Sequence, residues 1–99
     1  MRLSVIQLGG VLGSNEIWFI NIYASRGTWT MTAGQVTTSP LNWNASADDV
    51  YTAMDSELSA GGVTTLSVPG GWTIEFDGSL AGQSVFTQSP VTVNGSGLA

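Results

Sequence analysis

The chain has 99 residues, only 9% of them charged, and a formal net charge of −5 at pH 7. It contains no cysteine, no histidine and no lysine, and Arg2 and Arg26 are its only cationic side chains. These absences exclude disulfides and thiolate metal sites, remove the commonest general base of enzymes, and leave no basic cluster for nucleic acid or an anionic membrane. The length is that of one domain. We therefore expect a small domain that is not an enzyme, with no cofactor, no small-molecule substrate and no membrane span.

The N-terminal segment from Arg2 to Leu8 is short, apolar and predicted to be extended. Gly9, Gly10 and Gly13 follow it and predict a flexible joint. We therefore divide the chain into an extended arm, residues 1–14, and a single β-rich module, residues 15–99. The alternative is that the arm is the first strand of the domain itself.

The next three segments have the composition of β-strands. The segment from Glu16 to Tyr23 is rich in β-branched and aromatic residues, and both of its faces are largely apolar, which predicts a central or doubly covered strand. Thr28–Ala33 alternates between polar and apolar residues, with Trp29 expected to face inward. A further strand is predicted from Val36 to Trp43, with an interruption at Pro40.

One helix is predicted, at about residues 46–59. Ser46 has the residue type of an N-cap, and Asp49 lies three positions later, where a capping box places an acidic side chain. One apolar stripe at helical spacing is formed by Ala47, Val50, Met54 and Leu58. Gly61 and Gly62 then end the helix.

Strands are again predicted after the helix. They cover Val63–Val68, Trp72–Asp77, Gln83–Thr87 and Pro90–Val93, and residues 94–97 have the composition of a flexible tail. Trp72, Ile74 and Phe76 alternate and are expected to face inward. The order of elements predicts an α+β fold, a mainly antiparallel sheet or small sandwich with one packed helix and an extended N-terminal arm.

The residues that could carry chemistry are few. Glu75 and Asp77 share one face of a strand, where paired carboxylates could serve glycoside hydrolysis or Ca²⁺ binding. We interpret them as the solvated outer face of that strand. Trp29 and Trp72 are in phase with apolar strand faces and are predicted to lie in the core. Trp18 and Trp43 are left open, and one of them is predicted to lie at a protein contact.

Three stretches together resemble a module of tailed-phage virion proteins that also recurs in tandem in large bacterial surface proteins. They are GTWTMT at 27–32, GQVTTSPLNWNASADDVYTAM at 34–54 and GGWTIEFDGSLAGQSV at 70–85. The resemblance runs from about Asn15 to Leu98. It implies a structural role in capsid decoration, tails or fibres, and it brings no catalytic residues.

This chain departs from the tandem pattern because it has one copy of the module and the extra arm. A single copy argues against a long fibre of repeats. We therefore expect a decoration protein on the outer capsid surface of the virion, which contacts the major capsid protein, and the sequence leaves open whether it also contacts copies of itself. The expected interface residues are Leu3, Val5, Ile6, Leu8, Trp18 and Trp43. The alternative is a tail or fibre component, or an adhesion module that binds a host glycan through exposed tryptophans.

Overall fold

A computed structural model describes residues 1–88 and 90–99 of the chain. The described residues form eight strands and two helices in an α+β fold, with five strands before the first helix, and all their strand pairs are antiparallel. The strands are β1 Arg2–Gln7, β2 Ile17–Asn21, β3 Thr28–Ala33, β4 Val36–Thr37, β5 Leu41–Asn42, β6 Thr64–Val68, β7 Gly71–Glu75 and β8 Val91–Asn94. The helices are α1 Ala47–Thr52, which continues as a π-helical turn Ala53–Glu57, and α2 Val85–Gln88. The predicted fold class is confirmed.

The strands form two four-stranded sheets. The first sheet has the order β1-β2-β7-β6, so β2 is central, as its composition predicted. In the second sheet β3 pairs with β4 and β5 along the chain and with β8 from the C-terminal segment. Pro40 lies between the short strands β4 and β5 and accounts for the predicted interruption, since proline donates no hydrogen bond to a ladder.

The core lies between the sheets and α1. Trp72, Ile74 and Phe76 are buried, as the alternation predicted, and so are Trp18 and Ile20 of the neighbouring strand β2. The second sheet contributes Trp29, Met31 and Val91. Trp29 and Trp72 stack with ring centroids 5.1 Å apart, which joins the two sheets at the centre of the core.

The predicted helix start is confirmed in detail. Ser46 Oγ accepts from the Asp49 amide at 3.1 Å, and Asp49 Oδ2 accepts from the Ser46 amide at 3.2 Å, which completes a capping box. Val50, Ala53 and Met54 are buried against the core. The apolar stripe therefore fixes the face that the helix presents to the sheets.

Two sequence-based predictions near the C-terminus are wrong. The segment from Gln83 to Thr87 was predicted to be a strand, but it leads into the short helix α2. The segment from Asn94 to Gly97 was predicted to be a flexible tail, but Asn94 ends β8 and the following residues are hydrogen-bonded. Ala99 exchanges backbone hydrogen bonds with Arg26, at 3.0 and 3.3 Å. Both segments make hydrogen bonds to residues distant in the sequence, which the local pattern does not show.

Candidate partner interface

The N-terminal segment is extended and pairs with β2 as an edge strand of the first sheet. Leu3 lies opposite Ile20, and Val5 opposite Trp18. Leu3 and Val5 are half-buried and pack against the core, so their apolar contacts are largely internal. The segment is therefore the first strand of the domain, which was the alternative to an extended arm.

Ile6 and Leu8, by contrast, are available to a partner. The register of β1 against β2 shifts between Val5 and Gln7, and Ile6 lies at this bulge. Its side chain is 58% exposed, and that of Leu8 is 61% exposed. Bulges redirect a side chain and disturb the ladder locally, and Ile6 is exposed at this one, whereas Leu8 is exposed just after the strand ends. Two of the four predicted arm contacts are thus exposed.

Trp18 cannot serve as a contact residue, which corrects its place in the predicted interface. Its side chain is 0% exposed. The ring lies edge-on to Phe76, with centroids 4.5 Å apart, and to Phe86, with centroids 5.7 Å apart. The sequence did not separate the two faces of β2, because both are apolar.

Trp43 remains a candidate, since it is 37% exposed just before α1. It lines an open groove of about 330 Å³ at the end of the sheet where β2 ends. The lining also includes Ile22, Asn44, Ser67 and Val68. None of the groove residues in the described part of the chain is ionisable, so the groove suits an uncharged ligand. Trp72, which is 3% exposed, also lines the groove, and its indole donates to Ala45 O at 2.9 Å.

A buried carboxylate organises the opposite end of the sheet. Glu16 is 1% exposed. Its Oε1 accepts from the Gly9 amide at 3.1 Å, and its Oε2 accepts from Trp18 Nε1 and from the Phe86 amide, both at 2.7 Å. Three donors thus surround a buried negative charge, which a carboxylate in the interior requires. This side chain joins β2 to the loop before it and to α2.

The 8–13 loop, residues Leu8 to Gly13, was predicted to be a flexible joint but is ordered by this network. A Cβ at Gly9 would lie 1.7 Å from Gln83 O, so only glycine allows the chain to approach so closely. Ser84 Oγ donates to Gly9 O at 2.9 Å. The Gly10 amide donates to Ser14 O at 2.9 Å and closes the loop.

Two exposed apolar residues of the 8–13 loop were missed by the sequence-based prediction. Val11 is 55% exposed and Leu12 is 101% exposed. They lie in a 3₁₀ turn, Val11–Gly13, in which Leu12 has a φ of +52° and a ψ of +31°. The available signal was the apolar pair itself, which stands between Gly10 and Gly13 where a solvent-exposed turn normally has polar residues.

The ionisable side chains are distributed unevenly over the two ends of the first sheet. Glu75 lies opposite Ile17 at the end where β2 begins, and Asp77 follows soon after β7. Arg2 lies opposite Asn21 at the other end. Glu75 accepts from Asn15 Nδ2 at 3.1 Å, and Asp77 accepts from Thr64 Oγ1. The end of the sheet that carries the 8–13 loop is therefore acidic.

The described residues contain no group of three or more side chains placed to hold a metal ion. None of the described helices is long and apolar enough to cross a bilayer. Comparisons of this chain with protein-family models, with curated proteins and with solved structures find no match.

Proposed function

We propose that this chain is a structural protein of a tailed-phage virion, a decoration protein that binds the outer capsid surface and bridges major capsid protein subunits. The observation that carries the proposal is the edge strand β1. It is hydrogen-bonded to β2 on one side only. Ile6 near its end and Leu8 just after it are both exposed. The resemblance of residues 15–98 to virion modules supports the same role.

The proposed mechanism is passive. An extended segment of a capsid subunit adds to the free edge of β1, which supplies backbone hydrogen bonds, while Ile6 and Leu8 bury apolar surface against the same subunit. Because the protein binds the assembled shell and not its dissociated subunits, mass action makes the shell harder to dissociate. A surface with few charges suits a protein that works in a fixed assembly.

Co-sedimentation with separately purified heads and tails of the phage that encodes the chain tests the proposal. Binding to heads is expected, and it should weaken for Ile6→Thr, which keeps a β-branched side chain but removes apolar surface. Leu66→Thr is the matched control, since Leu66 is an exposed aliphatic residue on the other edge strand, β6. Binding to tails alone, or to neither, contradicts the proposal.

A second candidate function, adhesion to a host glycan, is favoured by the groove at Trp43. A half-exposed indole beside amide and hydroxyl groups, with no ionisable lining residue, suits a neutral sugar ring stacked on the tryptophan. Titration with host polysaccharide should then quench the tryptophan fluorescence of the wild-type protein and not that of Trp43→Ala. A flat titration of the wild-type protein rules this candidate out.

A further inference from the structure

We propose that the 8–13 loop is the anchor of this protein on its partner, with Leu12, flanked by Leu8 and Val11, inserted into an apolar pocket of the capsid protein. This inference rests on the proposed function and names the residues that make the contact. It also shifts the centre of the interface from β1 to the loop that follows it.

The conformation of Leu12 is the first argument. Its φ of +52° lies in the left-handed region, which is disfavoured for a leucine because its Cβ crowds the following carbonyl group. Its side chain is fully exposed, so packing within the chain does not offset this strain. The fold alone would be served better by glycine or asparagine at this position. A strained residue without a role in the fold points to a role in binding.

The second argument is that the loop is held in place while its apolar side chains stay free. Glu16 and Ser84 bind the two backbone polar groups of Gly9, and the Ser14 amide donates to Val11 O at 3.0 Å. A loop fixed before binding loses little conformational entropy when it docks. The exposed side chains of Leu8, Val11 and Leu12 therefore form a preorganised apolar protrusion.

The negative charge of this end of the sheet indicates the kind of partner that it can bind. The exposed and half-exposed ionisable side chains at this end of the sheet include Glu75, Asp77 and Asp55, all acidic. Arg2 lies at the other end. With a net charge of −5, the chain is repelled by anionic lipid, by nucleic acid and by a second copy of itself. The fitting partner is a protein surface with an apolar pocket and a neutral or basic rim.

The decisive variant is Leu12→Gly, because glycine accepts the positive φ and removes the side chain. Affinity for purified heads, measured by quantitative co-sedimentation, should fall about tenfold or more, while the fold remains intact by thermal melting. Leu12→Asn, which also tolerates this conformation, should behave in the same way. Ser59→Gly is the control, since Ser59 is the other non-glycine residue with positive φ among the described residues, at +56°, and it should leave affinity unchanged.

The outcomes separate this inference from the proposed function. If the wild-type protein binds heads and both Leu12 variants bind equally well, the anchor is elsewhere and the decoration role stands. If the wild-type protein binds no heads, the proposed function fails and the inference fails with it. Self-association of the wild-type protein in sedimentation velocity that Leu12→Gly abolishes would identify a second copy as the occupant. Flotation with neutral phosphatidylcholine vesicles would identify lipid, and either result overturns the inference.

Discussion

The two ends of the first sheet satisfy their buried polar groups in different ways. At the end where β2 begins, one side chain, Glu16, accepts from two backbone amides and one indole. At the other end the indole of Trp72 donates to Ala45 O, and the Trp29 indole of the second sheet, which stacks on Trp72, donates to Asn42 O. Stability at the first end thus depends on a single residue, whereas at the second it is divided among several. This difference predicts an unequal response to substitution.

Glu16→Gln should have the largest effect. The amide group presents a donor where the carboxylate accepted, so at least one buried N–H is left without a partner. We expect a loss of about 2 to 4 kcal/mol in the free energy of unfolding, measured by urea denaturation. Glu75→Gln is the control, because Glu75 is half-exposed and should lose far less. Equal losses for the two variants would contradict the contrast between the ends.

Trp72→Phe should cost less, about 1 to 3 kcal/mol, because it removes one donor to Ala45 O and part of one ring. Trp29→Phe should cost a similar amount or less, since Asn42 O loses its indole donor but still accepts from the Ala45 amide at 3.0 Å. Losses of unfolding free energy that are smaller for both tryptophan variants than for Glu16→Gln, in the same urea titrations, would support the contrast between the two ends. If either variant destabilised the protein more than Glu16→Gln, stability would not be divided at this end.

Ser46→Ala should cost about 1 kcal/mol, because it removes the side-chain acceptor of the capping box. Ser56→Ala, an exposed position in the π-helical turn, is the matched control and should change the unfolding free energy by a few tenths of that amount or less. Indistinguishable midpoints for the two variants would show that the cap does not support this end of the sheet.

Leu12→Gly should have the smallest effect and the opposite sign, a gain of about 0.5 kcal/mol. Relief of the left-handed backbone outweighs the added entropy of the unfolded chain. Leu8→Gly is expected to lose stability, because Leu8 is not among the described residues with positive φ. A loss for Leu12→Gly in differential scanning calorimetry would mean that its side chain packs within the protein.

The elements that depend on local pattern were predictable from the sequence. The alternation in Thr28–Ala33 and around Ile74 gave the strands and their buried faces, and the spacing of Ser46 and Asp49 gave the helix start. These signals extend over a few residues and involve no distant partner. They were sufficient for the fold class and for the core positions of Trp29 and Trp72.

The features that depend on distant contacts were not predictable in this way. Both faces of β2 are apolar, so the alternation could not show that Trp18 faces inward beside Phe86. The glycines of the 8–13 loop suggested flexibility, because the bond from Gly9 to Glu16 and the approach of Gln83 are properties of the folded chain. The candidate interface consequently gained Val11 and Leu12 and lost Trp18.

The hydrogen bonds of Glu16 should make the protein insensitive to salt at this buried site. Its negative charge is balanced by fixed N–H dipoles at 2.7 to 3.1 Å and not by a cation, so dissolved ions cannot reach or replace its partners. The surface carries an excess of like charges whose mutual repulsion added salt screens. Moderate NaCl should therefore raise the melting temperature without weakening the buried network, and the domain should tolerate wide changes in ionic strength.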